Sequence, residues 1–282
     1  VMYEILAEEV SIGRGVVIED GVKIQGRSDK VARRVEIGDN AFIGYNTRAF
    51  VDELVIGDYT MLHNNGLIAG DLPCHIGHCC WIGQNTILNS AGGLTLGNGV
   101  GVGAYSQLWS HIRHGDTLQG CRWNSSRPLV VEDDVWFVGH CIVSPVHAHA
   151  RSMALVGSVI TRDMEPNHVY AGVPAQDITE KVGPQFQEVP LEEKVAVMRA
   201  RLDEFYALNP GAPRSIVVVR SLDEASGLAA EEYTIFDVST RSYNRRRTEE
   251  EFRFMKHLLQ LIKFFPRQDL SLPPLKRGGE TR

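Results

Sequence analysis

Residues 76–108 read IGHCCWIGQNTILNSAGGLTLGNGVGVGAYSQL, and an aliphatic residue returns at every sixth position within each half of this stretch. These aliphatic residues are Ile76, Ile82, Leu88, Leu96, Val102 and Leu108. Six is not a helical period, and the pattern is too regular for a strand that simply alternates. A short strand followed by a tight turn fits it, because the aliphatic side chain can point inward while glycine eases the turn.

The same repeat runs in groups of three from Ile12 to Ile160, and extra residues fall only between the groups. The longest insertion is 111–128. Three short faces close one triangular coil, so insertions that recur once per coil stack along one edge of a prism. The sequence therefore predicts a mainly β fold, a parallel β-helix of hexapeptide type, whose coils are expected to be left-handed against the usual crossover preference. The other members of the repeat are Ile18, Ile24, Ile37, Ile43, Ala49, Ile56, Leu62, Ile68, Val131, Phe137, Val143, Ala148 and Ala154.

The last third of the chain follows another pattern. Apolar residues of 191–208 recur with the spacing of an amphipathic helix, and the segments SIVVV and YTIFDV predict strands. Residues 248–265 predict a second amphipathic helix, which starts at a threonine cap with acidic residues in its first turn. We therefore expect a β-helix domain over 1–181 and a small α/β domain over 185–282.

Composition and charge narrow the class of protein. The hydrophobic fraction of 43% and the charged fraction of 23% are those of an ordinary globular protein, and the net charge of −6 argues against a nucleic-acid partner. No apolar run approaches the ~20 residues of a membrane-spanning helix, and no secretory signal begins the chain. The five cysteines are odd in number, which favours free thiols in a reducing compartment. We therefore expect a cytoplasmic protein without a membrane span.

Two motifs give the sequence a family resemblance. The stretch ITRDMEPNHVYAGVPAQDI at 160–178 resembles the segment that closes the hexapeptide-repeat acyltransferases. WSH at 109–111, followed by a loop and VEDDVWFVGH, is similar to the sugar O-acetyltransferase and xenobiotic acetyltransferase branch. The resemblance covers roughly residues 10–181 and implies acyl transfer from acetyl-CoA or a related acyl-CoA. We also expect a homotrimer, because a cleft between two prisms gives a loop histidine partners that it lacks alone.

The resemblance assigns roles to individual positions. It places the catalytic base on His111 and the tryptophan that lies along the pantetheine arm on Trp136. Asn89 corresponds to an asparagine on the coil that faces the histidine. The loop adds candidate acceptor contacts at Arg113, His114 and Asp116, and Asp116 is also a candidate to orient an imidazole. The remaining positions implied on the CoA side are Gly139, Gly157 and Ser158 for pantetheine, Arg162 for the phosphates, and Gly172 and Pro174 for the adenine end.

The chemistry expected of His111 is general base catalysis. An ordinary imidazole titrates near pH ~6.5, so its neutral form can take a proton from a hydroxyl or an ammonium group at neutral pH. The nearest cysteine, Cys121, lies ten positions after His111 without a paired base beside it. The sequence therefore favours direct transfer in a ternary complex over a covalent acyl-enzyme.

Several alternatives remain at this point. Zinc is a candidate ligand of the histidines and cysteines, as in a γ-type carbonic anhydrase, but no three of them share a face, so no metal is expected. The candidates for zinc are His75, His78, Cys79, Cys80, His147 and His149. Arg245–Arg247 fits a solvated helix entrance, an anion contact or a seat for a nucleotide diphosphate.

The expected acceptor is a sugar. The extra domain suggests a larger one, a nucleotide-linked amino sugar, which is acylated on oxygen or nitrogen with an acyl chain of open length. An antibiotic acetyltransferase is the competing enzyme, and a non-catalytic trimeric scaffold is the competing protein of another class. Two departures from the family pattern concern the CoA side: Gln176 stands at a frequently basic position, and HAHAR at 147–151 replaces the usual glycine-containing run.

Overall fold

The computed structural model describes residues 2–225, 229, 231–259 and 261–267. The chain divides into two compact units, Val1–Glu188 and Val189–Arg282. This boundary lies a few residues beyond the expected one, because Phe186 exchanges hydrogen bonds with Asn167 of the first unit. No described helix is both long enough and apolar enough to cross a membrane.

The first unit is made of short strands, with a 3-10 turn at Arg27–Asp29 and one short helix, α1 (Thr179–Val182). In chain order the strands are β1 (Glu4–Ile5), β2 (Ala7–Ile12), β3 (Val17–Ile18), β4 (Lys23–Gln25), β5 (Ala32–Ile37), β6 (Phe42–Ile43), β7 (Arg48–Phe50), β8 (Glu53–Ile56), β9 (Met61–Leu62), β10 (Leu67–Ala69), β11 (Cys74–Ile76), β12 (Trp81–Ile82), β13 (Ile87–Asn89), β14 (Leu94–Leu96), β15 (Gly101–Val102), β16 (Gln107–Leu108), β17 (His111–Arg113), β18 (Asn124–Ser126), β19 (Leu129–Val131), β20 (Trp136–Phe137), β21 (Ile142–Val143), β22 (His147–Ala148), β23 (Met153–Ala154), β24 (Val159–Ile160), β25 (Val169–Gly172) and β26 (Ala175–Asp177).

Three sheets form the faces of a prism. Face A contains β1, β4, β7, β10, β13, β16, β21 and β24; face B contains β2, β5, β8, β11, β14, β19 and β22; face C contains β3, β6, β9, β12, β15, β20, β23, β25 and β26. Every pairing within the faces is parallel except that of β25 with β26. The chain passes from face B to face C to face A in each coil, so the predicted three-sided parallel β-helix is confirmed.

The six-residue repeat forms the core of this prism. Every repeat residue from Ile24 to Ile160 is buried, including the Ala148 that follows the one-residue slip. Ile12 is 43% exposed, contrary to the inward position expected from the repeat. It belongs to the first coil, which packs against a neighbouring coil on one side only.

The corner between faces B and C is held by a ladder of side-chain acceptors. At each step, a backbone amide in one coil donates to the corresponding side chain of the next coil, which satisfies polar groups that the turn would otherwise bury unpaired. The donor and acceptor pairs are Arg14 to Asp39, Asp39 to Asp58, Asp58 to His78, His78 to Asn98, and Asn98 to Asp133, at 2.6–2.9 Å.

The insertions lie between faces A and B, as the sequence predicts, and we call this corner the loop edge. The longest insertion forms an antiparallel hairpin from β17 and β18, here called the arm. Within the arm, His111 pairs with Ser126 and Arg113 pairs with Asn124. The arm thus starts at the residue expected to be the base.

The second unit is an α/β fold with a four-stranded sheet, β27-β28-β29-β30, in which only the β28–β29 pair is antiparallel. The predicted Thr248 cap is present, since its hydroxyl accepts the Glu251 amide. The second helix ends at Leu258, not at residue 265 as expected, because the last apolar residues pair with β29 and sheet pairing overrides helical propensity. The elements are α2 (Leu191–Leu208), β27 (Ile216–Val219), a 3-10 turn (Leu222–Ala225), β28 (Thr234–Asp237), β29 (Ser242–Asn244), α3 (Glu249–Leu258) and β30 (Phe265–Arg267).

Candidate active site

His111 lies on the loop edge, two residues after the end of face A strand β16. Its side chain is half-buried, and the Trp109 ring approaches it edge-on at 5.9 Å between centroids. The first pair of the arm, His111 with Ser126, fixes its backbone. The imidazole is therefore anchored at the base of a protruding element while one side of the ring stays accessible.

Asn89, the last residue of β13, holds the imidazole from the coil below. His111 Nδ1 lies 2.9 Å from Asn89 Oδ1. The same Oδ1 accepts the Ala91 amide at 3.1 Å, and a backbone amide can only donate, so this atom is the carbonyl oxygen. His111 Nδ1 must then carry the hydrogen, which leaves Nε2 with a free lone pair. This is the tautomer that a general base requires.

A buried hydrogen-bond chain supports Asn89. The Ser110 hydroxyl donates to Asn89 Oδ1 at 3.1 Å and accepts the Gly92 amide at 2.8 Å. At Gly92 an added Cβ would lie 2.1 Å from the Ser110 carbonyl oxygen, so no larger residue fits beneath the arm. Three hydrogen bonds therefore converge on one asparagine oxygen and limit the freedom of the imidazole.

The polar residues farther along the arm do not contact His111. Arg113 and His114 are exposed. Asp116 accepts the amides of Leu118 and Gln119 at 2.8 and 3.3 Å, which makes it a turn-forming residue. The orienting role considered for Asp116 thus belongs to Asn89, whose importance the sequence showed only through a family resemblance.

Trp136, the candidate pantetheine contact, projects outward from face C. It is 45% exposed, and it lies against the backbone of the preceding coil, since a Cβ at Gly101 would come within 2.8 Å of Trp136 Cδ1. Met153 is its neighbour in the following coil. The indole thus offers an exposed apolar surface along the groove between coils, as the sequence predicts for this residue.

Two of the three predicted pantetheine amides already have partners within the chain. The Gly157 amide donates to the Gly139 carbonyl at 2.9 Å, and the Ser158 amide donates to the Leu155 carbonyl at 3.2 Å. The Ser158 side chain is fully buried and its hydroxyl donates to the same Leu155 carbonyl. The expectation that the Gly157 and Ser158 amides bind pantetheine is therefore wrong, because the turn between faces C and A uses both.

Arg162 lines a cavity of about 180 Å³ at the end of the prism. Gln176 and Asp177 line it too, and hydrogen bonds, first from the Thr179 hydroxyl and then from His168, lower the pKa of Asp177 to about 2. The cavity therefore combines one guanidinium with an ionised carboxylate. Gly172 and Pro174 lie in the turn of the β25–β26 hairpin above it. The lining residues are Ile160, Thr161, Arg162, Asp163, Tyr170, Ala175, Gln176 and Asp177.

The donor-side and acceptor-side residues lie on different parts of the prism. His111 and Arg162 follow face A strands at the loop edge, whereas Trp136 lies on face C. In a three-sided prism the edge between faces A and B is opposite face C. A single chain therefore does not bring Trp136 to His111.

The residues considered for zinc separate into distinct environments. His75 Nε2 lies 2.8 Å from Glu53, and burial, followed by the charges of Arg34 and Arg33, lowers the pKa of His75. His78 Nδ1 accepts a backbone amide in the acceptor ladder. Cys79 and Cys80 are buried. His147 and His149 instead lie side by side with Glu132, a residue that was not among the candidates.

Comparisons with known proteins give no matching family model. Among solved structures, the chain resembles the N-acyltransferase AntD from Bacillus cereus in complex with dTDP and 3-hydroxybutyryl-CoA (16% identity, TM-score 0.39, covering 69% of this chain and 90% of that chain). A hexapeptide-repeat acetyltransferase from Vibrio cholerae O1 biovar eltor, complexed with acetyl coenzyme A, gives 21% identity and a TM-score of 0.36 and covers 51% of this chain and 69% of that chain. The polysialic acid O-acetyltransferase OatWY gives 17% identity and a TM-score of 0.35 and covers 64% and 92%. TM-scores below 0.5 carry no argument about the substrate of this chain.

Proposed function

We propose that this protein is an acyl-CoA-dependent acyltransferase, in which His111 acts as the general base for transfer to a sugar hydroxyl or amine. The observation that carries the proposal is the hydrogen bond from His111 Nδ1 to Asn89 Oδ1, which leaves Nε2 free to accept a proton. The hexapeptide prism and the closing AGVPA segment support the choice of acyl-CoA as donor. Acetyl-CoA is the first donor to test.

The proposed reaction proceeds in one ternary complex. His111 Nε2 takes a proton from the acceptor as its oxygen or nitrogen attacks the thioester carbonyl carbon. A backbone amide near the coil holds the negative charge that develops on the carbonyl oxygen. Collapse of the tetrahedral species breaks the carbon–sulfur bond, and the CoA thiolate leaves with the proton from the imidazolium. Asn89 Oδ1 favours the imidazolium meanwhile, because its dipole points at Nδ1–H.

The positions of the cysteines support direct transfer. Cys121, the cysteine nearest in sequence, lies on the arm against Gly115, where an added Cβ would come within 2.0 Å of Sγ. The other four cysteines are buried, and burial raises the pKa of Cys74 to about 12. An attacking thiolate needs an accessible, acidified thiol. None of these five cysteines offers one beside His111.

The proposed assembly is a homotrimer. One chain keeps Trp136 and His111 on opposite parts of its prism, and a neighbouring prism can bring a second copy of face C to the loop edge. Sedimentation equilibrium should therefore give three times the 31.3 kDa chain mass. A monomer in dilute solution with full activity would show that donor and acceptor meet within one chain.

The proposed acceptor is a sugar, with a nucleotide-linked amino sugar as the first choice. The screen measures CoA-thiol release from acetyl-CoA with simple sugars, sugar nucleotides and amphenicol-type antibiotics. dTDP-4-amino-4,6-dideoxyglucose, with which AntD has been crystallised, belongs in the panel. Turnover with an antibiotic alone would establish the xenobiotic alternative. If folded protein shows neither thiol release nor binding heat with CoA, the proposal fails.

Asn89 is expected to act as a positioning residue for the base. Asn89→Leu removes the Oδ1 that receives Nδ1–H, so kcat should fall by at least about tenfold while the KM for the acyl donor changes little. Asn89→Asp keeps an acceptor but adds negative charge, which favours the imidazolium. This variant should retain more activity and move the acid limb of the kcat/KM profile to higher pH. Equal losses in both variants, with unshifted profiles, would indicate a purely structural role.

Trp136→Ala is expected to weaken CoA binding about tenfold without unfolding the protein. Contact with an apolar side chain of this size contributes ~1.5–3 kcal/mol when fully buried, and an indole that starts 45% exposed recovers part of that on binding. Trp81 provides a matched control, because it is 42% exposed on the same face. Calorimetry with CoA should separate the two variants. Equal affinity in both would remove Trp136 from the donor site.

A further inference from the structure

We propose that Glu132, His147 and His149 form a binding site for a divalent transition metal ion, with Zn²⁺ as its first probe. The proposal is independent of the acyl-transfer function. His147 Nε2 lies 2.7 Å and His149 Nδ1 3.3 Å from the same oxygen, Glu132 Oε1. One nitrogen from each ring and this oxygen lie within 4.8 Å of one another.

The fold itself brings the three residues together. Glu132 follows β19 and His149 follows β22, and the parallel register of Val131 with Ala148 places them in successive coils. His147 precedes Ala148, so the alternation of the strand puts both imidazoles on the outer side of face B. The rings stack with centroids 3.9 Å apart.

This arrangement replaces the pattern of the preceding coils. Gly57, Gly77 and Gly97 occupy the equivalent corner position there, and a Cβ at any of them would lie within 2.6 Å of the next coil. In the last two coils the position is taken by Glu132 and His149. The departure of HAHAR from the usual run thus creates a corner with room for ligating side chains.

The chemistry and spacing fit zinc. Two histidines and one glutamate form a known three-ligand set that leaves the fourth position for water or another ligand. Tetrahedral bonds of ~2.0–2.1 Å put ligand atoms about 3.3 Å apart. The His149–Glu132 distance already equals that value, and the His147–Glu132 distance needs to open by only about half an ångström.

Outer contacts hold two of the ligands in place. The Ala150 amide donates to Glu132 Oε2 at 2.9 Å, which leaves Oε1 directed at the imidazoles. The His147 amide donates to Asp163 at 2.8 Å. All three side chains are about one-third exposed, so an ion can reach the site from solvent. Such outer contacts orient ligands and tune metal affinity.

The test is equilibrium dialysis of EDTA-treated full-length protein against ZnCl₂, with bound metal determined by mass spectrometry. We expect one zinc ion per chain. His149→Ala and Glu132→Gln should each weaken binding by more than ~100-fold, the upper range for loss of an outer-shell partner alone. Visible absorption of a Co²⁺-loaded sample should report four-coordinate geometry in the wild type and lose it in His149→Ala.

A matched control removes a histidine from a simpler pair. His168 Nδ1 lies 2.6 Å from Asp177, without a second imidazole in that ion pair, so His168→Ala should leave zinc binding unchanged. Circular dichroism confirms that each variant is folded. Wild-type protein without bound zinc, or equal zinc content in folded His149→Ala and wild type, would overturn the proposal. Acyl transfer is measured separately and does not decide this outcome.

Discussion

His111→Ala is expected to lower kcat by ~10²–10⁴-fold, the range typical for loss of a general base. The variant keeps the prism intact, because His111 follows the buried repeat and its side chain is only half-buried. CoA affinity should stay near the wild-type value, since Trp136 lies on face C and not beside His111. The measurement is CoA-thiol release at saturating acetyl-CoA and acceptor, together with calorimetry for CoA.

The control for this result is His114→Ala. His114 is exposed on the same arm, three residues farther along, and is expected to affect mainly the KM for the acceptor. A larger loss of kcat in His114→Ala would identify His114 as the base. If neither variant lost turnover, the arm would be a binding element and the base would lie elsewhere on the prism.

The fold was predictable because its information is local and repeated. Each coil contributes three inward aliphatic residues, so an error at one position is corrected by its neighbours, as the buried Ala148 after the slip shows. The loop edge followed from the same repeat, since insertions once per coil must share a corner. The end of α3 was not predictable in this way, because pairing of β30 with β29 is a tertiary contact that its apolar pattern does not encode.

The candidate site was predictable only in part. His111 stood out because it begins the longest insertion, but its partner Asn89 lies 22 positions earlier and contacts it through coil stacking. Ser158 was assigned to the donor site although the turn consumes its amide, a hydrogen bond that no sequence pattern displays. Glu132 was missed for the same reason. Its link to His147 and His149 appears once the register of β19 and β22 is known, and counting from Val131 and Ala148 would have revealed it.

The coil spacing that builds the site also limits which glycines can change. Neighbouring parallel strands lie ~4.8 Å apart, so a glycine whose Cα faces the next coil has no room for a methyl group. Gly103 is such a position: an added Cβ would lie 1.8 Å from the Val138 carbonyl oxygen and 2.6 Å from the Gly139 amide nitrogen. Both are backbone atoms, which cannot rotate away as a flexible side chain can.

Gly103→Ala is therefore expected to lower the free energy of unfolding of the first unit by about 3 kcal/mol or more, at or above the usual range for overpacking. Gly66→Ala is the matched control, because its Cβ would make ordinary contacts, the nearest at 3.6 Å to Thr47 Cγ2. That change should stay within ~0.5 kcal/mol or stabilise slightly. Urea unfolding followed by tryptophan fluorescence reports the first unit alone, since all four tryptophans of the chain lie before residue 189. Equal unfolding midpoints for the two variants would mean that the coils can separate to admit a methyl group, contrary to the rigid stacking on which the site depends.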